Sequence, residues 1–350
     1  MAGTEKELLE RISVYRVPVK LKGLKEMFTE STPKNADKKL RDKSLLETDH
    51  NGNYWLHSLV KEFSHEDLKN KKEAHLIAYN YYKSLDLPEN PTKKEDLQPA
   101  IEAHYQACEA GEYGLAVDII WEFNLHNFLD LWGNQRTLIE IYEKLLPKDH
   151  FIAEPILKDK QVHGPVLGNL GNAYSALGDA KKAIEYYEQA LKIDREIGDI
   201  RGEGVWLGSL GNAYLALGDA KKAIDYYEQA MRNARETGDI RSEGVGLGNL
   251  GNAYRDLGDA KKAIDYYEQA LKIAREIGDR RNEGVWLGNL GLAYLALGDA
   301  KKAIDYYEQA LKIDREIGDI RGEELVLVVW GTHTVIWVTL KKPLIITSRP

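Results

Sequence analysis

The sequence predicts a mainly α-helical protein whose second half is a solenoid of stacked helical hairpins. Two observations carry this prediction. Gly171, Gly211, Gly251 and Gly291 are 40 residues apart, and each stands in the same pattern, L-G-x-L-G-x-A-Y. Each copy of that pattern is followed by a Leu-Gly-Asp turn and a second helical pattern, A-K-K-A-I-[DE]-Y-Y-E-Q-A. A fixed period of this length indicates a repeat architecture.

The helical faces explain why the repeats must stack. In the first unit, Leu167, Leu170 and Tyr174 lie on one face of the first helix, and Ala183, Tyr187 and Ala190 lie on one face of the second. A single hairpin cannot bury both faces, so neighbouring units must cover them. The spacing gives four units of 40 residues: 164–203, 204–243, 244–283 and 284–323.

Glycine and aspartate define the turns within each unit. Gly178 is suited to the left-handed position that ends the first helix, and Asp179 is suited to cap the next helix. Gly171 and its equivalents stand in mid-helix, where glycine costs about 1 kcal/mol relative to alanine. We expect these glycines to allow close packing of one helix against another.

The repeat pattern resembles the tetratricopeptide repeat, because Leu167, Leu170, Gly171, Tyr174, Ala183, Tyr187 and Ala190 match its signature positions. The family's basic unit has about 34 residues, so the extra residues should lengthen the second helix and the start of the next unit. Longer units occur in kinesin light chains and in the sensor halves of STAND-type ATPases. The resemblance implies a right-handed α-α superhelix that holds a protein or peptide in a concave groove.

The candidate groove residues lie on the first helix of each unit, on the face opposite the Leu and Tyr stripe. An asparagine amide can both donate and accept, so a row of asparagines can pair with an extended peptide backbone. The resemblance implies this role for Asn172, Asn212 and Asn252. The alternative, that these asparagines are solvated or bond to the adjacent helix, stays open. The full candidate set is Asn169, Asn172, Ser209, Asn212, Asn249, Asn252, Arg255 and Asn289.

Residues 1–163 have a different character and divide into two expected segments. In residues 1–92, the helical stretches KELLERISVY and KGLKEMF precede two strand-like segments joined by Asp-His-Asn-Gly, a hairpin turn signal. The phrase RDKSLLETDHNGNYWLHSLVKEF resembles the winged-helix segment of STAND ATPases of the NB-ARC kind. Residues 93–163 are expected to be a connector, in which 101–120 and 138–147 form a degenerate helical pair.

Composition and missing motifs narrow the functional classes. The formal charge of -8 disfavours a dedicated nucleic-acid-binding protein, and residues 1–80 hold 15 Lys and Arg against 13 Asp and Glu, a net of +2. Without a G-x-x-x-x-G-K-[ST] loop, nucleotide hydrolysis is not expected. The histidines show no metal-ligand spacing, and no nucleophile motif such as G-x-S-x-G is present. Cys108 is the only cysteine, so no internal disulfide can form.

The remaining expectations concern location and partners. The N-terminus lacks the apolar core of a signal peptide, and no apolar run reaches about 18 residues, which predicts a cytoplasmic protein without membrane association. We therefore expect a non-catalytic binding module with a protein or peptide ligand and no cofactor or metal. The STAND resemblance adds a separate P-loop ATPase chain as a further partner. The alternative is a DNA-binding regulator that uses the winged helix, with the repeats as its sensor.

The tail at 324–350 resembles nothing before it, but a shift of reading frame relates it to the repeats. If Leu344 is encoded by TTG and residues 345–350 by ATT ATT ACG AGC AGG CC, a frame that starts at the final G reads Asp-Tyr-Tyr-Glu-Gln-Ala, identical to 305–310. Allowed codons extend the match back to residue 324. We interpret the tail as an out-of-frame remnant of a fifth unit, and expect it to be non-helical.

Overall fold

A computed structural model describes residues 3–147, 155–320 and 322. The described chain is mainly α-helical, as predicted, and forms two compact units that divide at Leu177 and Gly178. The expected tail at 324–350 lies outside the described residues. The division between the units falls inside the first predicted repeat, whereas the sequence places domain limits at residues 92 and 163, which stay predictions.

The first unit opens with helices around a small antiparallel sheet of order β1-β3-β2. The predicted hairpin is confirmed, with Leu46 opposite Leu56. Its turn is held by Asp49, whose Oδ1 accepts from the backbone N–H groups of Asn51 at 2.8 Å and Asn53 at 2.9 Å. The elements are α1 Gly3–Ile12, β1 Val19–Lys20, α2 Leu21–Glu26, α3 Ala36–Asp42, β2 Leu46–Thr48, β3 Asn53–Leu56, α4 Ser58–Asp67 and α5 Lys71–Lys83.

The connector contains more helices than the sequence suggested. The expected pair over 101–120 and 138–147 is instead four helices preceded by a short 3-10 helix at Lys94–Leu97. Left-handed residues divide them: Gly111 at φ +75°, Asn124 at φ +50° and Gly133 at φ +69°. A helix cannot continue through this backbone region, so each of these residues ends a segment. The helices are α6 Gln98–Glu109, α7 Tyr113–Glu122, α8 Leu125–Leu131 and α9 Gln135–Glu143.

The repeat helices follow in regular pairs. The first of them, α10 Lys160–Ala176, packs on α9, where Tyr174 donates a hydrogen bond to Glu143 at 2.6 Å. In the second unit, each helix packs on its neighbours in sequence, which is the packing of a solenoid. These helices are α11 Ala180–Ile197, α12 Ile200–Ala216, α13 Ala220–Thr237, α14 Ile240–Asp256, α15 Ala260–Glu276, α16 Arg280–Ala296 and α17 Ala300–Ile317.

The predicted turn chemistry is confirmed throughout the repeats. Gly178 and its equivalents have φ near +80°, and Asp179 accepts a hydrogen bond from the backbone N–H of Lys182 at 3.2 Å. The second helix of each unit is lengthened, as expected: α11 runs through Ile197 before left-handed Gly198. The first helices, however, begin four residues before the unit limits set by the sequence pattern. The reason is a second cap, because Asp199 accepts from the backbone N–H of Gly202 at 3.0 Å.

The mid-helix glycines serve close packing, as predicted. The ring of Tyr227 lies directly on Gly211, leaving no room for a side chain. The next unit repeats the contact, since a Cβ atom on Gly251 would lie 2.5 Å from Tyr267 Cε1. These tyrosines are at most 1% exposed and form the centre of each hairpin.

Candidate functional site

The candidate groove residues of the second unit lie at matching positions on α12, α14 and α16. Ser209, Asn249 and Asn289 are partly exposed, and Asn212 is exposed. Asn289 Nδ2 donates to Asn252 Oδ1 at 3.4 Å, so α14 and α16 are joined along this row. We call Ser209, Asn212, Asn249, Asn252 and Asn289 the polar row.

Two asparagines of the polar row also bond within their own hairpins. Tyr227 donates its hydroxyl to Asn212 Oδ1 at 2.7 Å, and Tyr267 donates to Asn252 Oδ1 at 2.8 Å. Of the alternatives left open by the sequence, a bond to the adjacent helix is therefore present at both positions. The amide oxygens orient these side chains, and their NH2 groups are the donors available to a ligand.

The remaining candidates are placed differently. Arg255 turns to its neighbour Asp256, with Nη2 3.1 Å from Oδ1. Asn169 and Asn172 lie on α10 in the first unit, where Asn169 hydrogen-bonds the Tyr142 hydroxyl of α9. The structure thus groups five of the eight candidates in the polar row of the second unit.

A cavity of about 360 Å³ opens beside the polar row between α12, α13 and α14. Ser209, Asn212 and Asn249 line it, so three residues proposed from sequence meet at one concave site. Its volume lies within the range of roughly 300–1,000 Å³ found for ligand pockets. We call it the repeat 2–3 cavity.

The cavity lies where one unit lacks the large side chain that covers the preceding unit. Trp206 and Trp286 occupy the third position of their units, and Gly246 stands at the corresponding place in the unit between them. The ring of Trp286 covers Gly248 of the preceding unit so closely that a Cβ there would overlap it. The equivalent Gly208 has no atom within 4 Å of its Cβ position, because no tryptophan covers it.

Residues that are buried in other repeats are exposed in this cavity. Ala190, Ala270 and Ala310 are fully buried, whereas the equivalent Ala230 is partly exposed. Gly204 is also partly exposed, although its equivalent Gly244 is buried. The floor of the cavity is therefore made of backbone and a methyl group, as expected where a large side chain has been removed.

The walls of the cavity are more polar than the matching surfaces elsewhere. Asn233 and Thr237 replace the isoleucines at 193, 273 and 313 and at 197, 277 and 317. Thr237 Oγ1 donates to the carbonyl of Asn233 at 2.9 Å. Sequence reasoning missed this site. The signal was present in the differences between repeats, at Asn233, Thr237 and Gly246, rather than in their shared pattern.

The tryptophan that precedes this junction is tied to a buried carboxyl group. Trp206 Nε1 donates to Asp194 Oδ2 at 2.7 Å, and Asp194 is 3% exposed. Burial raises the pKa of Asp194 to about 6, with a further contribution from Asp199 and Glu203. At the cavity, Ala234 stands at the position of Asp194, so both members of the Trp-Asp pair are replaced there.

Groups suited to catalysis or metal binding are scarce in the part of the chain that the structure describes. Among those residues, no cluster of three or more His, Cys, Asp and Glu could hold a metal ion. Burial raises the pKa of the Cys108 thiol to about 12, so it stays protonated and weakly nucleophilic at neutral pH.

In the same described ranges, no helix combines the length and apolar character needed to span a bilayer.

Comparison with solved structures gives likenesses at low identity. A signal transduction ATPase with numerous domains and a tetratricopeptide repeat sensor, from Pyrococcus horikoshii, is 24% identical over 94% of this chain, with a TM-score of 0.47. The chain spans 53% of that protein's length. Aspartyl phosphate phosphatase F from Bacillus subtilis is 15% identical over 93% of this chain and 78% of its own, with a TM-score of 0.52. This second likeness shows a shared helical fold.

Family comparison identifies the repeats. One tetratricopeptide repeat model matches residues 164–236 and 243–316, and a second matches 209–276. Comparison with curated proteins gives no match. The matched ranges contain the polar row, the repeat 2–3 cavity and the paired helices that form them. Residues 164–316 of this chain are tetratricopeptide repeats.

Proposed function

We propose that the protein is a non-catalytic scaffold that binds a protein or an extended peptide along the polar row of its repeats. The observation that carries this proposal is the alignment of the row. Ser209, Asn249 and Asn289 recur at one position on successive first helices, and Asn212 and Asn252 are held in place by tyrosine hydroxyls. Pre-oriented amide donors at a regular spacing suit a repeating backbone better than a compact small molecule.

The surroundings of the row support a binding role over a chemical one. The repeat 2–3 cavity is lined by glycine, alanine, valine, amides and hydroxyls, together with Ile200, Tyr227 and the charged side chains of Arg201, Asp239 and Arg241. Such a lining offers contact area and hydrogen bonds. The hydroxyl of Ser242 and the carboxylate of Asp239, 2.9 Å apart, belong to the cap of α14, where Asp239 also accepts from the backbone N–H of Ser242. The proposal is therefore for recognition alone.

A peptide selection tests the scaffold proposal. The full chain would be screened against a random peptide display library, and enriched peptides would be titrated by calorimetry. Asn212→Ala and Asn252→Ala combined should weaken binding by roughly 1–3 kcal/mol in total. The matched control is Gln229→Ala with Gln269→Ala, because these amides lie on the second helices, where they bond to carbonyls of their own helix. Equal loss of affinity in both double variants would contradict the proposal.

We further propose that residues 1–92 are a winged-helix-like domain and that the whole chain is a sensor module of a STAND-like regulator. The support is the element order α1-β1-α2-α3-β2-β3 with its antiparallel hairpin, together with the sequence resemblance of residues 41–63. A separate ATPase chain would then be the natural partner. Co-purification of such an ATPase with the tagged full chain from its own source would test this role.

The DNA-binding alternative would use α3 as its recognition helix, because α3 follows α2 in the chain. The cations of α3 and of Lys43, at its C-terminal end, weaken this alternative. Lys43 Nζ lies 2.5 Å and Lys39 Nζ 3.7 Å from the carboxylate of Glu5. Arg41 pairs with Asp37 at 3.6 Å. Because these cations already face carboxylates, they are less suited to phosphates. Salt-sensitive binding of the full chain to duplex DNA would favour the alternative.

A further inference from the structure

We propose that the repeat 2–3 cavity is a specificity site that takes one aromatic side chain of indole size from the bound peptide. This inference rests on the proposed function and adds the identity of the residue that the ligand must carry. Its basis is an internal comparison: the chain itself places an indole in the equivalent slot one unit further along.

The first step is the shape of the slot. At the next junction, Trp286 covers Gly248, and its ring centroid lies 6.2 Å from that of Tyr267. Trp206 stands in the same relation to Tyr187, again at 6.2 Å. Tyr227 occupies the corresponding place beside the cavity, but Gly246 supplies no ring to lie against it. The slot therefore keeps the glycine and the tyrosine of a tryptophan site but lacks the tryptophan, and Asn233 and Thr237 make its remaining wall more polar.

The second step is the chemistry of the lining. Gly204, Gly208 and Ala230 offer an apolar floor that is partly exposed only at this junction among the described ones. Burying apolar surface there would stabilise a complex through the hydrophobic effect. Asn233 lines the cavity with an amide oxygen that can accept an indole N–H, and it stands next to Ala234, the residue equivalent to Asp194. An aromatic ring with one polar edge matches this combination better than an aliphatic or charged side chain.

The third step is the position of the cavity along the row. Ser209, Asn212 and Asn249 form its edge and belong to the polar row. A peptide whose backbone pairs with these side chains would pass directly over the opening. Three charged side chains also line the cavity, Arg201, Asp239 and Arg241, and Arg241 Nη1 is paired with Asp279 Oδ2 at 2.9 Å.

The test uses N-acetyl-L-tryptophanamide as the probe and the full chain as the receptor. Binding is followed by calorimetry and by the backbone amide chemical shifts of the isotope-labelled protein. We expect saturable binding to the native chain and none to Gly246→Trp, whose new side chain fills the slot. The matched control is Val285→Trp, which adds the same side chain at an exposed position of α16 away from the cavity. It should bind the probe as the native chain does. Equal binding by Gly246→Trp and the native chain would overturn the proposal.

A second variant guards against a misfolded Gly246→Trp. Trp286→Gly empties the slot over Gly248, so it should lower the midpoint of thermal unfolding, and the probe should restore part of that loss. Binding of two probe molecules to each Trp286→Gly chain, against one to the native chain, supports the proposal. A folded Trp286→Gly variant that gains no binding would count against the idea that this slot recognises an indole.

Peptide selection separates this inference from the scaffold proposal. Peptides selected on the native chain should share an aromatic residue and bind Gly246→Trp at least tenfold more weakly. Peptides without an aromatic residue, or with equal affinity for Gly246→Trp, would overturn the slot and leave the scaffold intact. Failure to select any peptide would overturn both. The native chain could instead associate with itself as its concentration rises, and Gly246→Trp could abolish this association. That result would assign the slot to a second copy of the chain and overturn the inference.

Discussion

The ring of Trp286 lies on Gly248 of the preceding repeat, so a side chain in one unit fills a space that a glycine leaves in its neighbour. Trp286 is 4% exposed and belongs to the core that joins the third and fourth repeats. Because each unit of a solenoid is stabilised mainly by its neighbours, this contact belongs to the interface between units rather than to one hairpin. No tryptophan covers Gly208 in this way, and the space left there is the repeat 2–3 cavity.

Trp286→Ala should lower the free energy of unfolding by roughly 3–5 kcal/mol, because it removes a large buried side chain and leaves a cavity over Gly248. Urea unfolding followed by circular dichroism measures the change. The adjacent Val285→Ala is the control, since Val285 is 46% exposed and its truncation should have an effect of about 0.5 kcal/mol or less. Similar losses for both variants would show that Trp286 does not join the repeats.

Two glycines on α12 should respond to alanine in opposite directions. Gly211→Ala places a methyl group against the ring of Tyr227 and should destabilise the chain by about 1–3 kcal/mol. Gly208→Ala meets no atom within 4 Å and should stabilise the helix by up to about 1 kcal/mol. Thermal unfolding of both variants beside the native chain gives the comparison. A stabilising Gly211→Ala would contradict the packing described for this helix.

Asp194 should make the stability of the second unit depend on pH. Its pKa is raised from 3.8 to about 6 in the folded chain, so folding favours the protonated form. The native chain is therefore destabilised when the carboxyl is ionised, and the penalty disappears as the pH falls from above about 6 to below about 4. Asp194→Asn keeps an acceptor for Trp206 Nε1–H and should be more stable than the native chain by on the order of 1–2 kcal/mol at neutral pH.

Unfolding of Asp194→Asn and the native chain, compared from about pH 4 to about pH 8, measures this effect. The stability difference should shrink towards zero at the acidic end. Asp225→Asn is the control for a general change in charge, because Asp225 is exposed on α13 and does not contribute to the raised pKa of Asp194. A constant advantage of Asp194→Asn across this pH range would contradict the raised pKa of Asp194.

ATP should neither stabilise the chain nor be hydrolysed by it, because the sequence lacks a phosphate-binding G-x-x-x-x-G-K-[ST] loop. The midpoint of thermal unfolding should be the same with and without millimolar ATP and magnesium. A ligand at a concentration 100 times its Kd stabilises a protein by about 2.7 kcal/mol, so specific binding would be readily detected. A clear upward shift with ATP would contradict the non-catalytic account.

The sequence predicted the parts of the fold that depend on local chemistry. Gly178 and Asp179 mark the turn because few residue types suit a left-handed backbone position or an N-cap. The tyrosine packing could be expected from the mid-helix glycines, Gly211 and its equivalents. The helix boundaries of the connector were harder to predict. Asn124 ends a helix in the left-handed conformation, but an asparagine in an apolar stretch does not by itself indicate such an end. The cavity depends on a contact between residues 38 positions apart, which Trp286 makes with Gly248 and which Gly246 cannot make with Gly208. Such a site becomes visible only once the repeats are stacked.

Hydrogen–deuterium exchange of the full chain, with and without a selected peptide, tests the scaffold account most directly. Bound ligand should slow exchange in residues 204–212 and 244–252, the segments of α12 and α14 that carry the polar row and the repeat 2–3 cavity. Exchange in residues 181–192 and 261–272, on the second helices, should change little. Protection confined to those second helices or to residues 3–147 would contradict the account.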